Sequence, residues 1–282
     1  MPIWDERKID CHHHVIDPVR FPYAPDTVYR PQGQEVAPVE VLLQLFDIFA
    51  VRHGVVVGTN SGYGTDNRIV LDAIRRSAGR LKGVAVVPNS TGSDALADLK
   101  AQGIVGVAIN PSAWGLAYYQ DVAPLVARVE ELGMFVQVQT EKDQLVDLME
   151  LIGPTKVRIL IDHCARPVVA AGLEQKGFCK ALELGRSGQA CVKISGYAKF
   201  SETMYPHVDA GPFIEALVQA FTLDRCMWGS DWPYLKADHH IDFAMMLKLV
   251  EAWFPDSMDR ARLFWDTPAR VFGFDAAHTT RP

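Results

Sequence analysis

The stretch KIDCHHH, residues 8–14, has the pattern of a short buried strand that ends in histidines. Seven further short apolar runs follow along the chain, and strands of a parallel sheet have this pattern because both of their faces are buried. The predicted strands are Lys8–His14, His53–Gly58, Leu81–Val87, Ile104–Asn110, Phe135–Thr140, Val157–His163, Ala190–Ser195 and Cys226–Asp231.

Helical patterns lie between these strands. They are Val39–Phe49, Asn67–Ala78, Asp94–Ala101, Gln120–Leu132, Gln144–Leu151, Phe213–Phe221 and His239–Trp253. Regular alternation of strands and helices implies parallel pairing with right-handed crossovers. Eight such units in 282 residues favour a single closed (β/α)8 TIM barrel over residues 1–274, followed by a loose tail at residues 275–282. No G-x-G-x-x-G motif follows the first strand, which argues against a dinucleotide-binding fold.

Two predicted loops are unusually long. Val15–Glu35 follows the first strand, and Gly196–Pro212 follows the seventh. Both leave the carboxyl end of a strand, which is the face of this fold that carries active sites. We therefore expect them to form a pocket wall or a lid.

Composition limits the class of protein and its partners. The chain has 49% hydrophobic and 22% charged residues and a net charge of −6, without a run of Lys or Arg. These features argue against nucleic acid as a partner, and no apolar stretch is long enough to span a membrane. The five cysteines are scattered, which is typical of reduced thiols in a cytoplasmic protein. The expected partner is a small-molecule substrate, and a homo-oligomer stays open.

The end of the first strand brings two histidines to one side. Because side chains alternate along a strand, His12 and His14 point the same way, whereas Cys11 and His13 point the other. Asp10 would share the barrel mouth with His12 and His14 if Ile9 is not the inward layer. We expect His13 to be a packing residue.

Two more strand ends carry titratable groups. The sixth strand ends in His163 and the eighth in Asp231. In a closed barrel these residues reach the same rim as His12 and His14. This convergence of three histidines and one carboxylate predicts a site, with these four residues as its catalytic groups.

The residues around these positions resemble the amidohydrolase superfamily, and more narrowly the lactonase group that includes 2-pyrone-4,6-dicarboxylate lactonase and 4-sulfomuconolactone hydrolase. The resemblance spans nearly the whole chain. It implies a barrel of the metal-dependent-hydrolase type, opening of a lactone and a place in the catabolism of aromatic compounds. The matching stretches are Asp10–His14, Arg20–Pro25, Gly64–Arg68, Asp162–Pro167, Lys193–Gly196, Gly229–Pro233 and Thr267–Phe274.

The chain departs from this superfamily in its metal ligands. Members with two metals need a Lys on the fourth strand and a His on the fifth, but these strands read GVAIN and VQVQT here, at residues 106–110 and 136–140. We therefore expect no binuclear centre. Two readings stay open: one divalent metal, zinc before others, held by some subset of His12, His14, His163 and Asp231 with an open position for water, or metal-free catalysis.

A second departure concerns the substrate. The dicarboxylate lactonases place an Arg near the end of the fourth strand, where this chain has Ala108. Because a bidentate Arg is hard to replace in carboxylate recognition, we expect a single anionic group rather than the pyrone dicarboxylate. The candidate substrate-binding residues are Tyr23, Arg30, Ser61, Tyr63, Arg166, Tyr197 and Lys199.

The resulting hypothesis is hydrolysis of a lactone. Asp231 would act as general base on water, and the three histidines would stabilise the oxyanion directly or through a metal. Without a metal, burial is expected to raise the pKa of Asp231. The alternatives are a single-metal decarboxylase of a related barrel family, hydrolysis of an amide or a phosphorylated compound, and a non-catalytic binding protein on the same fold.

Overall fold

Eight parallel strands form the centre of the molecule. The computed structural model describes residues 1–27 and 29–274. Neighbours in the sheet follow chain order from β1 to β8, and each consecutive pair is parallel. The strands are β1 Lys8–His13, β2 Val51–Val57, β3 Leu81–Val86, β4 Ile104–Ile109, β5 Phe135–Val138, β6 Arg158–Ile161, β7 Ala190–Ile194 and β8 Cys226–Trp228.

The sheet closes through the residues that follow β8. The amide of Asp231 donates to the carbonyl of His12 at 2.7 Å, and the amide of His14 donates to the carbonyl of Trp232 at 2.8 Å. The end of the eighth strand therefore pairs with the end of the first, and the prediction of a (β/α)8 barrel is confirmed.

Each strand is followed by a helix of nine residues or more in the described part of the chain. The last one begins at Phe243, so the prediction that His239 and His240 open it is wrong: both precede Asp242, the helix N-cap. The helices are α1 Val39–Ile48, α2 Arg68–Arg76, α3 Ser93–Ala101, α4 Ala123–Glu131, α5 Gln144–Ile152, α6 Lys176–Ser187, α7 Gly211–Phe221 and α8 Phe243–Trp253.

Alternating side chains of the strands build two apolar layers. One layer lies between the sheet and the helices, with Val56 and Ala85 among its members. The other fills the barrel and includes Ile9, Cys11 and Val55. Strand alternation predicts that Cys11 points away from His12, and thus out of the barrel, but this prediction is wrong. The pairing of β1 with β2 shifts register between Asp10 and His13, and this irregularity breaks the simple alternation.

The predicted tail at residues 275–282 lies outside the described residues. Before it, Trp265, Phe272 and Phe274 join the apolar cluster of the barrel interior. The ring of Phe272 lies 5.5 Å from that of Phe135, the first residue of β5. These side chains therefore cover the amino-terminal end of the barrel, which leaves the opposite end for the site. Within the described chain, no helix has the length and apolar character needed to span a membrane.

Candidate active site

Four side chains from three strand ends meet at one point. The Oδ1 atom of Asp231 lies 3.8 Å from Nε2 of His12, 3.8 Å from Nε2 of His14 and 3.7 Å from Nε2 of His163. All four residues are buried. The structure thus brings together the four residues that the sequence predicted to form a site.

The backbone near these four residues has unusual φ angles and two glycines that lie against the histidine side chains. Asp231 has a φ of +60° and His163 a φ of +49°, a region that non-glycine residues adopt at a cost and that is common at functional sites. A Cβ on Gly196 would lie 2.4 Å from Nδ1 of the His163 ring, and one on Gly229 would lie 2.8 Å from Cβ of His12. Both glycines are therefore required for the rings to occupy their places.

Two neighbouring polar residues of β1 lie outside this cluster. The carboxylate of Asp10 accepts hydrogen bonds from the amide of Ser230 at 2.8 Å and from its hydroxyl at 2.6 Å. Asp10 therefore joins β1 to the loop after β8 instead of lining the mouth with His12. The ring of His13 packs edge-on against Phe46 at 5.1 Å, and its prediction as a packing residue is confirmed.

The Nδ1 atom of each imidazole contacts a polar group on the side opposite to the Nε2 atom that faces Asp231. Nδ1 of His14 lies 2.8 Å from the carbonyl oxygen of Val57, which can only accept, so the His14 proton is on Nδ1 and Nε2 carries a lone pair. Nδ1 of His163 lies 3.1 Å from the hydroxyl of Ser195. Both contacts fix the ring orientation, and the carbonyl contact of His14 also fixes its tautomer.

The three histidines are neutral at physiological pH. Burial lowers the pKa of His12 and His163 well below the ordinary value, and it lowers the pKa of His14 to about 4. Neutral imidazole is the form that binds metal ions and that can donate a single hydrogen bond.

Asp231 is paired with Lys199, which the sequence analysis had assigned to the substrate. The Lys199 Nζ atom lies 3.0 Å from Oδ2 of Asp231. Burial by itself raises the pKa of Asp231, but the charge and the hydrogen bond of Lys199 oppose burial, and the pKa lies below its ordinary value. The prediction of a raised pKa is therefore wrong, because it considered burial and not the neighbouring cation.

Lys193, which was not among the predicted site residues, lies inside the barrel next to His12. This lysine is fully buried, and its Nζ atom lies 3.0 Å from Nδ1 of His12, 2.5 Å from Oε1 of Gln137 and 3.0 Å from Oδ1 of Asp162. Its position in the sequence could have indicated this role, because a lysine on a buried strand is a buried cation and requires polar partners at the same level of the barrel.

The four converging atoms fit a divalent metal ion. Nε2 of His12 and Oδ1 of Asp231 are buried, and neither has a hydrogen-bond partner among the described residues. Three imidazole nitrogens and one carboxylate oxygen form a typical zinc ligand set, whose ligands lie about 2.0–2.2 Å from the metal. A second group, His12, Asp162 and His163, also lies within ligand distance, but Asp162 already pairs with Lys193.

The site opens into a cavity of about 410 Å³ at the carboxyl ends of the strands. Four of the predicted substrate-binding residues line it: Ser61, Arg166, Tyr197 and Lys199. The other three do not. The hydroxyl of Tyr23 donates to the carbonyl of Pro31, Tyr63 accepts from the amide of Asp17, and the exposed Arg30 donates to the carbonyl of Pro25. We therefore remove Tyr23, Arg30 and Tyr63 from the proposed substrate contacts.

The loop after β8 forms a wall of the cavity that the sequence analysis did not anticipate. It contributes Tyr234, Leu235, Lys236, Ala237, Asp238 and Ile241 to the lining. Of the two loops expected to form the wall, the one after β7 does so through Gly196, Tyr197, Ala198 and Lys199.

Neutral polar groups line the side of the cavity next to β2, β4 and β5. Ser112 donates to Oδ1 of Asn110 at 2.7 Å, and Asn110 in turn donates to Oδ1 of Asn60 at 2.8 Å. The buried Nδ2 atom of Asn60 has no hydrogen-bond partner in the described chain. The Nδ2 group of Asn60, at the end of this chain of hydrogen bonds, can therefore donate to an oxygen atom of a ligand.

A barrel with three histidines and an aspartate at the carboxyl ends of β1, β6 and β8 is the arrangement that the sequence resemblance implied. The sequence profile of the amidohydrolase family matches residues 9–274. The chain belongs to this family. Apart from Lys8, the first residue of β1, its eight strands lie within the matched range, and so do the four site residues and the cavity.

Members of the amidohydrolase family with known names are similar over most of their length. The chain is 33% identical to 4-sulfomuconolactone hydrolase of Rhizobium radiobacter and 28% identical to 2-pyrone-4,6-dicarboxylate hydrolase of Comamonas testosteroni, each match covering 94% of this chain and 89% of the relative. A crystal structure of a probable 2-pyrone-4,6-dicarboxylic acid hydrolase from Acinetobacter baumannii, with citric acid bound, superposes with a TM-score of 0.86. It has 28% identity, and the match covers 95% of this chain and 100% of that one.

Proposed function

We propose that this amidohydrolase hydrolyses a lactone of a small anionic carboxylic acid. The observation that carries the proposal is the convergence of Asp231 with three neutral imidazoles on the wall of one cavity. Ester hydrolysis needs a base for water and donors for the oxyanion, and this set provides both. The names of the two relatives, both hydrolases of cyclic esters, support the same reaction class.

Asp231 is the general base. Its Oδ2 atom pairs with Lys199, whereas Oδ1 faces the imidazoles and has no hydrogen-bond partner among the described residues. Because the pKa of Asp231 lies below its ordinary value, the carboxylate is ionised at neutral pH and accepts the proton of the attacking water. The same carboxyl group then returns this proton to the departing alkoxide.

If the site holds a single divalent ion, His12, His14, His163 and Asp231 are the residues that would supply its ligands, and nitrogen and oxygen donors of this kind suit zinc. Such an ion would act as a Lewis acid on the lactone carbonyl. The imidazole rings position the lactone carbonyl next to Asp231, because a contact at Nδ1 fixes the orientation of each ring.

The lining of the cavity specifies the substrate further. The cations in the described lining are Arg166, Lys199 and Lys236, which follow β6, β7 and β8, whereas β4 contributes Ala108. The opposite side carries neutral amides and hydroxyls. We therefore propose a lactone with one carboxylate or sulfonate directed toward Arg166, and with an uncharged oxygen directed toward Asn60.

A panel of lactones tests the proposal. We expect ring-opened hydroxy acid as the product, with monoanionic lactones preferred over dianionic ones. The Arg166→Met variant should lower kcat/KM for an anionic lactone about 10- to 100-fold, the value of one charge-assisted hydrogen bond, and leave a neutral lactone nearly unchanged. Carbon dioxide as the product would instead show a decarboxylase, and tight binding without turnover of any lactone would show a binding protein.

The proposed location is the cytoplasm. Its support is that the five cysteines are free, with Cys11, Cys164 and Cys226 buried.

A further inference from the structure

Lys193 contacts the same nitrogen of His12 that also faces a carboxylate. Nδ1 of His12 lies 3.0 Å from Nζ of Lys193 and 3.3 Å from Oδ1 of Asp162. The two contacts require opposite tautomers. An ammonium group can only donate, so Nδ1 must accept and the ring proton must be on Nε2; a carboxylate can only accept, so the proton would be on Nδ1.

The surrounding contacts favour the first tautomer. The side-chain amide of Gln137 donates to Oδ2 of Asp162 at 2.8 Å, which turns its Oε1 atom toward Lys193. Lys193 then donates to this oxygen at 2.5 Å and forms an ion pair with Asp162 at 3.0 Å. Lys193 is therefore a donor toward its neighbours, and its contact with His12 is the shorter of the two at Nδ1.

The tautomer of His12 decides what its Nε2 atom can do. This atom faces Oδ1 of Asp231 at 3.8 Å, beyond hydrogen-bond distance, and is free to meet a ligand. With a proton, Nε2 donates a hydrogen bond to a developing oxyanion. Without one, it offers a lone pair to a metal ion.

We infer that Lys193 is a positioning residue that keeps the His12 proton on Nε2, so that His12 acts as a hydrogen-bond donor and the site binds divalent metals weakly. Removing Lys193 leaves Asp162 as the remaining partner of Nδ1 and moves the proton to Nδ1. The lone pair that appears on Nε2 of His12 then lies beside the lone pair on Nε2 of His14, so that two imidazole ligands face Oδ1 of Asp231.

Nitrogen NMR of the ring atoms tests this inference directly in the wild-type protein. We expect the His12 signals, assigned by their loss in His12→Gln, to show a protonated Nε2 and an unprotonated Nδ1. Protonation of Nδ1 in the metal-free wild-type protein would overturn the inference. Because no substrate is involved, this result is independent of the proposed lactone hydrolysis.

The Lys193→Met variant provides the second test. We expect the His12 proton to move to Nδ1 and the affinity for Co²⁺, followed by its visible absorption, to rise at least tenfold. Unchanged or weaker Co²⁺ binding in a folded variant would contradict the inference.

Two control variants separate the tautomer from other effects. Lys8→Met removes another fully buried lysine, one that donates to main-chain carbonyls and not to a histidine, and should change neither measurement. Lys199→Met removes a positive charge beside Asp231 but leaves the contact between Lys193 and His12 intact. It should therefore leave the His12 ring signals unchanged, whereas a shift there would mean that charge alone sets the tautomer.

Discussion

Replacing Gly196 by alanine should displace His163 while leaving the four site residues unsubstituted. The new Cβ would lie 2.4 Å from Nδ1 of His163, and an ordinary contact begins near 3.4 Å. The ring must therefore move by about 1 Å, a misplacement that can cost about 100-fold in rate. In addition, Gly196 has a φ of +62°, so alanine adds backbone strain of about 1 kcal/mol.

Steady-state kinetics on a lactone that the wild type hydrolyses, together with urea unfolding, separates these two effects. Gly188→Ala is the matched control, because Gly188 also has a left-handed backbone, with a φ of +77°, but the nearest atom to its added Cβ is 3.9 Å away. We expect both variants to lose similar backbone stability and only Gly196→Ala to lose kcat. Equal activity of the two variants would refute the assignment of His163 to the reacting centre.

Three further predictions concern charge and protonation. Asp231→Asn should lower kcat about 10²- to 10⁴-fold, the contribution of a general base, while circular dichroism shows an intact fold; substantial remaining activity would remove Asp231 from this role. Lys199→Met should raise the pKa of Asp231 and move the acid limb of the kcat/KM profile to higher pH, whereas Lys236→Met should leave the limb in place. In the chelator-treated protein, His14 has a native pKa of about 4 and an unfolded value of 6.5, so the unfolded chain binds more protons in this window. Stability should be fully present above pH 6.5 and fall toward pH 4 by about 3 kcal/mol in urea titrations, with a smaller fall in His14→Gln.

The positions of the four candidate site residues could be predicted because they depend on strand ends alone. His163 and Asp231 follow short apolar runs, and in a closed parallel barrel all carboxyl ends share one rim. His12 and His14 occupy alternate positions of one strand end. Predicting that they converge therefore requires only the number of strands and their order along the chain, and does not require the structure of the loops.

The interior position of Cys11 could not be predicted from alternation. The register shift of β1 between Asp10 and His13 places an extra residue in the strand, and nothing in the local sequence distinguishes this irregularity from a regular strand. The same limit applies to Asp10, which bonds to Ser230 across the closure of the barrel. Contacts of this kind join residues far apart in the chain.

Loop residues were predicted least well. Tyr23 and Tyr63 carry groups that suit a binding pocket, but their hydroxyl groups bond to main-chain atoms of the loop after β1, including the carbonyl of Pro31 and the amide of Asp17. The wall formed after β8 was not predicted because only seven residues, 232–238, separate the predicted strand from the predicted helix, so that this loop did not stand out by its length. Composition identifies a polar loop, but the direction of its side chains depends on packing against the neighbouring loops.

The balance of charge around the imidazoles supports a site that works with weak metal binding. Two carboxylates, Asp162 and Asp231, contact the three neutral rings, and two lysines neutralise them, Lys193 beside Asp162 and Lys199 beside Asp231. A divalent ion would therefore enter a buried site that already contains equal positive and negative charge, and burial of excess charge is unfavourable. In this arrangement the two lysines supply the positive charge that a bound metal ion would bring. Lys193 acts through the His12 ring and Lys199 through Asp231, which leaves the Nε2 proton of His12 and the Oδ1 atom of Asp231 to act on the substrate.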